Sequence, residues 1–187
     1  MSIRKATPKK RSSADRKRAI EQIETVIATE RKKREKSDET FTALTREEIE
    51  KKLRRVQSPM IVFQSWNNTT PPGGTINYTV GVSNPDPVSW GTLVVGMSVG
   101  NRNLITSNDL FVSEFDARFP TLAQPPTVGF SLGAAGSPNA SASFSFTLRI
   151  PNGVEKTGYF GNTVLQQLSF HDVGKYLDRS VFFFGVV

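Results

Sequence analysis

The sequence predicts a mainly β protein, an antiparallel two-sheet β-sandwich of seven or eight strands preceded by a basic helical segment. Three observations predict it. From Met60 onward apolar residues recur at every second position, the period of a strand with one buried face. Turn-forming clusters of Pro, Gly and Asn interrupt that alternation at short, fairly regular intervals, as in sandwiches rather than α/β folds. Charge also divides at Ser58-Pro59: residues 1–58 carry 18 Lys/Arg against 10 Asp/Glu, a net +8, and residues 59–187 carry 6 against 7, a net −1. Two domains are therefore expected, a basic arm over 1–58 and a sandwich over 59–187.

Met1–Ser12 holds Arg4, Lys5, Lys9, Lys10 and Arg11 and almost nothing apolar. Burial cannot offset the entropy of ordering such a segment, so a disordered start is expected. From Ser13, Ile20, Ile23 and Ile27 recur at helical spacing with Ala19 and Val26 beside them, which predicts an amphipathic helix to about Lys36. A second helix is announced by Thr45 and Glu48, spaced as a capping box, with Leu44 and Ile49 in the staple positions. Ile49, Leu53 and Val56 form its apolar face, acidic residues open it, basic ones close it, and Pro59 stops it. The charge runs fit a solvated face, a polyanion contact, or a docking arm. In the second reading Arg4, Lys5, Lys9, Lys10, Arg11, Arg16, Lys17 and Arg18 bind nucleic acid or another polyanion. In the third, Ile20, Ile23 and Ile27 meet a partner helix.

The strands follow in order. Met60–Trp66 is the first, and Asn67–Gly74, with Pro71-Pro72-Gly73-Gly74, is a turn. Thr75–Val82 places Ile76, Tyr78, Val80 and Val82 on one face and Thr75, Asn77 and Thr79 on the other, the sign of an antiparallel strand wet on one side. Asn84-Pro85-Asp86-Pro87 breaks it. Trp90–Val99, Leu110–Phe115 and Val128–Leu132 come next, then Ser141–Ile150, where Ala142, Phe144, Phe146, Leu148 and Ile150 oppose a row of Ser and Thr. Thr163–Phe170 and Ser180–Val187 complete the set. The last is continuously apolar, which suits either a central strand buried on both faces, the favoured reading, or an aggregation-prone edge that a partner must cover.

Pro72-Gly73-Gly74-Thr75-Ile76-Asn77-Tyr78-Thr79-Val80-Gly81-Val82-Ser83-Asn84 resembles the second-strand motif of immunoglobulin-like CARDB modules, in which a Pro-Gly turn leads into an alternating strand ending in Asn. Gly136–Ile150 with its following Pro is similar to a later strand of the same modules. The resemblance implies an immunoglobulin-like sandwich, and the basic arm departs from it. A rival resemblance is to small icosahedral virus coat proteins, whose basic arm lies on the genome and whose jelly roll forms the shell; it implies nucleic-acid contact by the arm.

Catalytic chemistry finds little material. With no cysteine, thiolate metal sites and thiol nucleophiles are excluded. The single histidine, His171, sits beside Asp172 in a loop rather than in a spaced motif. Asp109, Glu114 and Asp116 lack the spacing of a calcium loop. No catalytic residue, metal or cofactor is expected. Trp66 and Trp90 serve packing or ligand stacking. The expected function is that of a non-enzymatic structural or interaction module, a homo-oligomer or protein assembly through the sandwich, with the arm on a polyanion or partner. The alternative is a viral capsid or virion-associated structural protein. No small-molecule substrate, membrane span or signal peptide is expected, and the expected location is the cytoplasm or a virus particle.

Overall fold

A computed structural model describes residues 12–55, 58–101, 128–168 and 175–187. Helix α1 (Ser13–Arg34) begins at a capping box in which Ser12 Oγ accepts the Asp15 N–H at 3.1 Å and Asp15 Oδ2 accepts the Ser12 N–H at 3.1 Å. It closes on the cations Arg31, Lys32, Lys33 and Arg34, which the negative end of the helix dipole favours. Strand β1 (Thr40–Ala43) follows, then helix α2 (Arg46–Arg55), opened by the predicted box: Glu48 Oε2 accepts the Thr45 N–H at 2.8 Å and Thr45 Oγ1 accepts the Glu48 N–H at 3.3 Å. The remaining strands are β2 (Met60–Trp66), β3 (Thr69–Thr70), β4 (Thr75–Ser83), β5 (Trp90–Asn101), β6 (Val128–Leu132), β7 (Ser141–Arg149), β8 (Gly158–Gln167) and β9 (Lys175–Val186).

They form a four-stranded sheet in the order β1-β2-β4-β7 and a five-stranded sheet in the order β3-β9-β8-β5-β6. The stretch β2-β4-β7 facing β9-β8-β5-β6 is the A-B-E against G-F-C-C′ arrangement of an immunoglobulin-like sandwich. Consecutive strands pair within one sheet, β5 with β6 and β8 with β9. This strand order replaces the jelly-roll alternative. Nine strands are present among the described residues, not seven or eight, and β3 pairs with β9 in parallel. The additional strands, β1 and β3, are four and two residues long, too short for alternation to reveal. The expected strand Leu110–Phe115 lies outside the described residues.

Between the sheets lies a core of alternating side chains. Tyr78 stacks on Phe182 with ring centroids 4.3 Å apart, and Trp66 packs against the same ring at 5.4 Å. The Tyr78 hydroxyl is buried in this core and is satisfied twice: it donates to Gln64 Oε1 at 3.0 Å and accepts from Thr163 Oγ1 at 2.7 Å. Burial away from water pushes the Tyr78 phenol well above its ordinary range. Phe182, Phe184 and Val186 point into this core while Phe183 is 50% exposed. Strand β9 therefore alternates there, rather than being buried on both faces as its apolar run implies.

A second core lies on the outer side of the four-stranded sheet. Ala19, Ile20, Ile23 and Ile27 of α1 pack with Ile49 and Leu53 of α2 and with Met60, Val62 and Phe63 of β2. The face Ile20-Ile23-Ile27, expected to meet a partner helix, is thus filled by the chain itself, and Ile23 is fully buried. The division at Ser58-Pro59 likewise does not separate two packing units, because β1 hydrogen-bonds to β2 from Thr40↔Trp66 to Ala43↔Phe63. Polar ties fasten the helix at its middle and at its C-terminal end. Gln22 donates to Ser83 Oγ at 3.0 Å and accepts the Gly136 N–H at 2.7 Å, and Arg34 reaches Glu39, Ser65 and Thr79.

Phe63 lies flat over Gly81, where an added Cβ would come within 1.9 Å of its ring. Gly81→Ala is expected to cost about 1–3 kcal/mol through overpacking, and Phe63→Leu in the same chain should recover part of it. Ile23→Ala is expected to cost about 2–5 kcal/mol. Chemical denaturation checks both; an unchanged midpoint for Ile23→Ala would mean that α1 does not pack on this sheet.

Candidate polyanion-binding surface

Helices α1 and α2 run antiparallel over the sheet. At one end Arg46 Nη1 meets Glu24 Oε1 at 3.1 Å; at the other, Arg16 and Ile20 face Leu53 and Arg54. The pairing follows from two apolar stripes that each need cover, Ile20-Ile23-Ile27 and Ile49-Leu53, and it leaves the charged faces outward.

Acidic residues neutralise one part of this surface. Lys33 Nζ lies 2.7 Å from Glu30 Oε1, Arg34 pairs with Glu39, Arg46 Nε lies 3.4 Å from Glu50, and Lys52 Nζ lies 2.8 Å from Asp178. Arg31 rests over the Phe41 ring at 5.8 Å. Among the described residues of this layer Lys32, Lys36 and Lys51 have no ion-pair partner, and neither do the five cations Arg16, Lys17, Arg18, Arg54 and Arg55. These five belong to one end of the helical layer, where α1 begins and α2 finishes. Arg16 and Arg54 line a shallow cavity of about 180 Å³ with Ile20, Glu50 and Leu53. Lys17 and Arg18 are exposed.

Of the predicted polyanion residues, Arg16, Lys17 and Arg18 are thus brought together at the start of α1, and Arg4, Lys5, Lys9, Lys10 and Arg11 lie outside the described residues. Arg54 and Arg55 were legible only as cations suited to a helix C-terminus. Their approach to Arg16 depends on the antiparallel helix pair, which no local spacing reports. His171, Asp172, Asp109, Glu114 and Asp116 lie outside the described residues; among the described ones no group of three or more His, Asp or Glu is placed to hold a metal. Among the described residues, no helix is long and apolar enough to cross a membrane. Both tryptophans are tied into the fold: Trp66 Nε1 donates to the Phe183 carbonyl at 2.8 Å and Trp90 Nε1 to Asp86 Oδ2 at 3.1 Å.

With the architecture in hand, the protein falls into the class of immunoglobulin-like sandwiches, here carrying a helical layer on one sheet. No protein-family model matches the chain, and no curated protein matches it in sequence. Among solved structures it is similar to the C-terminal domain of wzt, at 11% identity and a TM-score of 0.48 over 81% of this chain and 80% of that one. It is also similar to the CARDB domain of a Pyrococcus furiosus protein, at 13% identity and a TM-score of 0.42 over 70% of this chain and 93% of that one. A third is Spo0M, a sporulation control protein from Bacillus subtilis, at 13% identity and a TM-score of 0.41 over 70% of this chain and 50% of that one. The resemblance noted in the sequence rests on Pro72–Asn84. In this chain that segment is a turn with Gly73 at φ 77°, followed by β4 and closed by Asn84.

The Glu48 carboxylate is held below its ordinary pKa of 4.5, first by the Thr45 backbone N–H and then by the Thr45 hydroxyl. A depressed carboxylate contributes stability that is present above 4.5 and is lost as pH falls through the folded value. The Thr45 amide resonance is therefore expected to titrate with a midpoint below 4.5. Glu48→Gln, which can still close the box, should abolish that titration; a midpoint at or above 4.5 would count against the capping role.

Proposed function

We propose that this chain is a non-catalytic interaction and assembly module, whose sandwich makes protein contacts and whose helical layer docks on a polyanion. One observation carries the reading: Arg16, Lys17, Arg18, Arg54 and Arg55 stand at one end of the helical layer without ion-pair partners among the described residues, whereas Lys33, Arg34, Arg46 and Lys52 are paired and Arg31 is stacked. Like charges gathered at one end of the layer cost repulsion unless a counter-charge meets them. The cationic segment Arg4–Arg11 joins the chain at that same end. Phosphates fit because guanidinium groups grip them bidentately, and binding releases condensed counterions whatever the base sequence. The sandwich, with a net charge of −1 over residues 59–187, adds little repulsion and little attraction.

A fluorescent single-stranded oligonucleotide, followed by anisotropy across a salt series, tests this. The full chain is expected to bind with an affinity falling steeply as salt rises, independent of base sequence. Deleting residues 1–11 removes five cations and should flatten the logarithmic slope by up to about 3.5, at about 0.7 per phosphate on a single strand. Arg16→Glu with Arg54→Glu should weaken low-salt binding by about tenfold or more. Equal affinities across these variants, or binding indifferent to salt, would discard the polyanion reading.

A further inference from the structure

Among the described residues the two sheets have four edges, and three are protected against pairing with another chain. Strands β1 and β6 are four and five residues long, and short edges template poorly. On the third edge the two-residue strand β3 pairs only with the end of β9, and the rest of that side of β9 is covered from within. Its outward carbonyls at Val181 and Phe183 accept Gln64 Nε2 and Trp66 Nε1, each at 2.8 Å, and its Gly185 and Val187 N–H groups donate to Asn68 and Thr70. Strand β7 is the exception. It runs nine residues in unbroken register against β4, with neither proline, lysine nor bulge, and no described strand lies on its other side.

Which groups it presents follows from its ladder. The Asn84 N–H donates to the Ala140 carbonyl at 2.8 Å and the Ile150 N–H to the Gly74 carbonyl at 2.9 Å. Even-numbered residues therefore bond with β4, and Ser141, Ser143, Ser145, Thr147 and Arg149 turn their N–H and C=O groups to the free edge. Helix α1 touches β7 at Ser141 through Gln22. Beyond that it stands off across a groove of about 240 Å³ lined by Thr25, Thr29, Phe63, Ser141 and Ser143.

We infer that β7 is a homotypic interface: two copies pair their β7 strands antiparallel about a two-fold axis at Ser145, joining two four-stranded sheets into one of eight. The inference rests on the assembly reading above and supplies its surface. Self-complementarity selects a second copy as the occupant. With the axis at Ser145, outward-facing residues meet only outward-facing ones, Ser141 opposite Arg149, Ser143 opposite Thr147 and Ser145 opposite itself. That satisfies the free groups with about ten main-chain hydrogen bonds. Between them Phe144 of each copy meets Phe146 of the other in the closer, non-hydrogen-bonded pairs that favour aromatic contacts. The strand's one charge does not oppose itself, since the two Arg149 residues lie about 27 Å apart, well beyond the screening length of about 8 Å at physiological salt.

Sedimentation equilibrium on the full chain at micromolar concentration tests the interface. The wild type is expected to dimerise. Ser145→Pro removes an outward N–H and leaves the β4 ladder intact, and Ser145→Lys sets two cations against each other at the axis. Each should raise the dimer dissociation constant at least about tenfold, while Val88→Ser, in an exposed turn, should leave it unchanged. If the proline variant does not fold by circular dichroism, the lysine variant decides. A monomeric wild type, or dimerisation untouched by a folded Ser145 variant, overturns the inference. Oligonucleotide binding by the same samples separates the two readings. Self-association through another surface, or a monomer that still binds with steep salt dependence, sinks edge pairing alone, whereas a monomer that binds nothing sinks both.

Discussion

Every residue of β2 is buried, and that constraint organises the molecule. A strand in an immunoglobulin-like sheet ordinarily covers one face with the opposite sheet and leaves the other to water. Here Ile61 and Trp66 belong to the core between the sheets, while Met60, Val62 and Phe63 belong to the core under the helices. The register shift between Ile61 and Phe63 makes this possible, because one extra residue on β2 re-aims side chains that strict alternation would divide differently. Exposing Met60, Val62 and Phe63 would cost about 1.5–3 kcal/mol each. The helices are consequently a third layer of the fold rather than an appendage.

The same strand closes the sandwich along one side. From β2, Gln64 and Trp66 reach across to the carbonyls of β9, and Asp178 of β9 accepts both the Ile61 N–H at 2.8 Å and Lys52 from α2. On the opposite side the closure is apolar: Phe130 of β6 and Phe144 of β7 meet at 4.5 Å, and among the described residues no comparable set of side-chain bonds reaches the β7 backbone. Among the described residues, therefore, one flank has its polar groups satisfied internally, and the other has its side chains packed but its outward backbone unpaired. That asymmetry distinguishes β7 from β9 as a surface for another chain.

Legibility in the sequence tracked the length and regularity of each element. Met60–Trp66 and Val128–Leu132 matched the observed strands residue for residue, and the Thr45/Glu48 box opened α2 as its spacing implied. Strand β8 begins at Gly158, five residues before the alternating stretch that starts at Thr163, because Tyr159 and Phe160 are both buried and Gly161 makes room for Phe182. Periodicity reports that a face will be covered but not by what. Ile20, Ile23 and Ile27 look the same whether the cover is another chain or the strand following their own hairpin. The complementary signal was present in β2, whose run Met60-Ile61-Val62-Phe63 is too continuously apolar for a strand wet on one side.

Packing the helices onto the sheet alters what their cations can do. On a loose arm each cation is positioned only at the moment of binding, and the ordering entropy is charged against the contact. On this layer Ile20 and Leu53 hold Arg16 and Arg54 on adjoining helices, and the capping boxes fix where each helix begins. The residual freedom is confined to side-chain rotamers, about 0.5–1.5 kcal/mol for each one immobilised. Acidic neighbours shape the surface too, since Glu24, Glu30, Glu39 and Glu50 engage Arg46, Lys33 and Arg34, whereas the guanidinium groups where α1 starts and α2 ends carry no such pair among the described residues. The ten acidic residues of the first 58 therefore do more than dilute a basic arm. Through these pairs they set where on the surface its charge remains available.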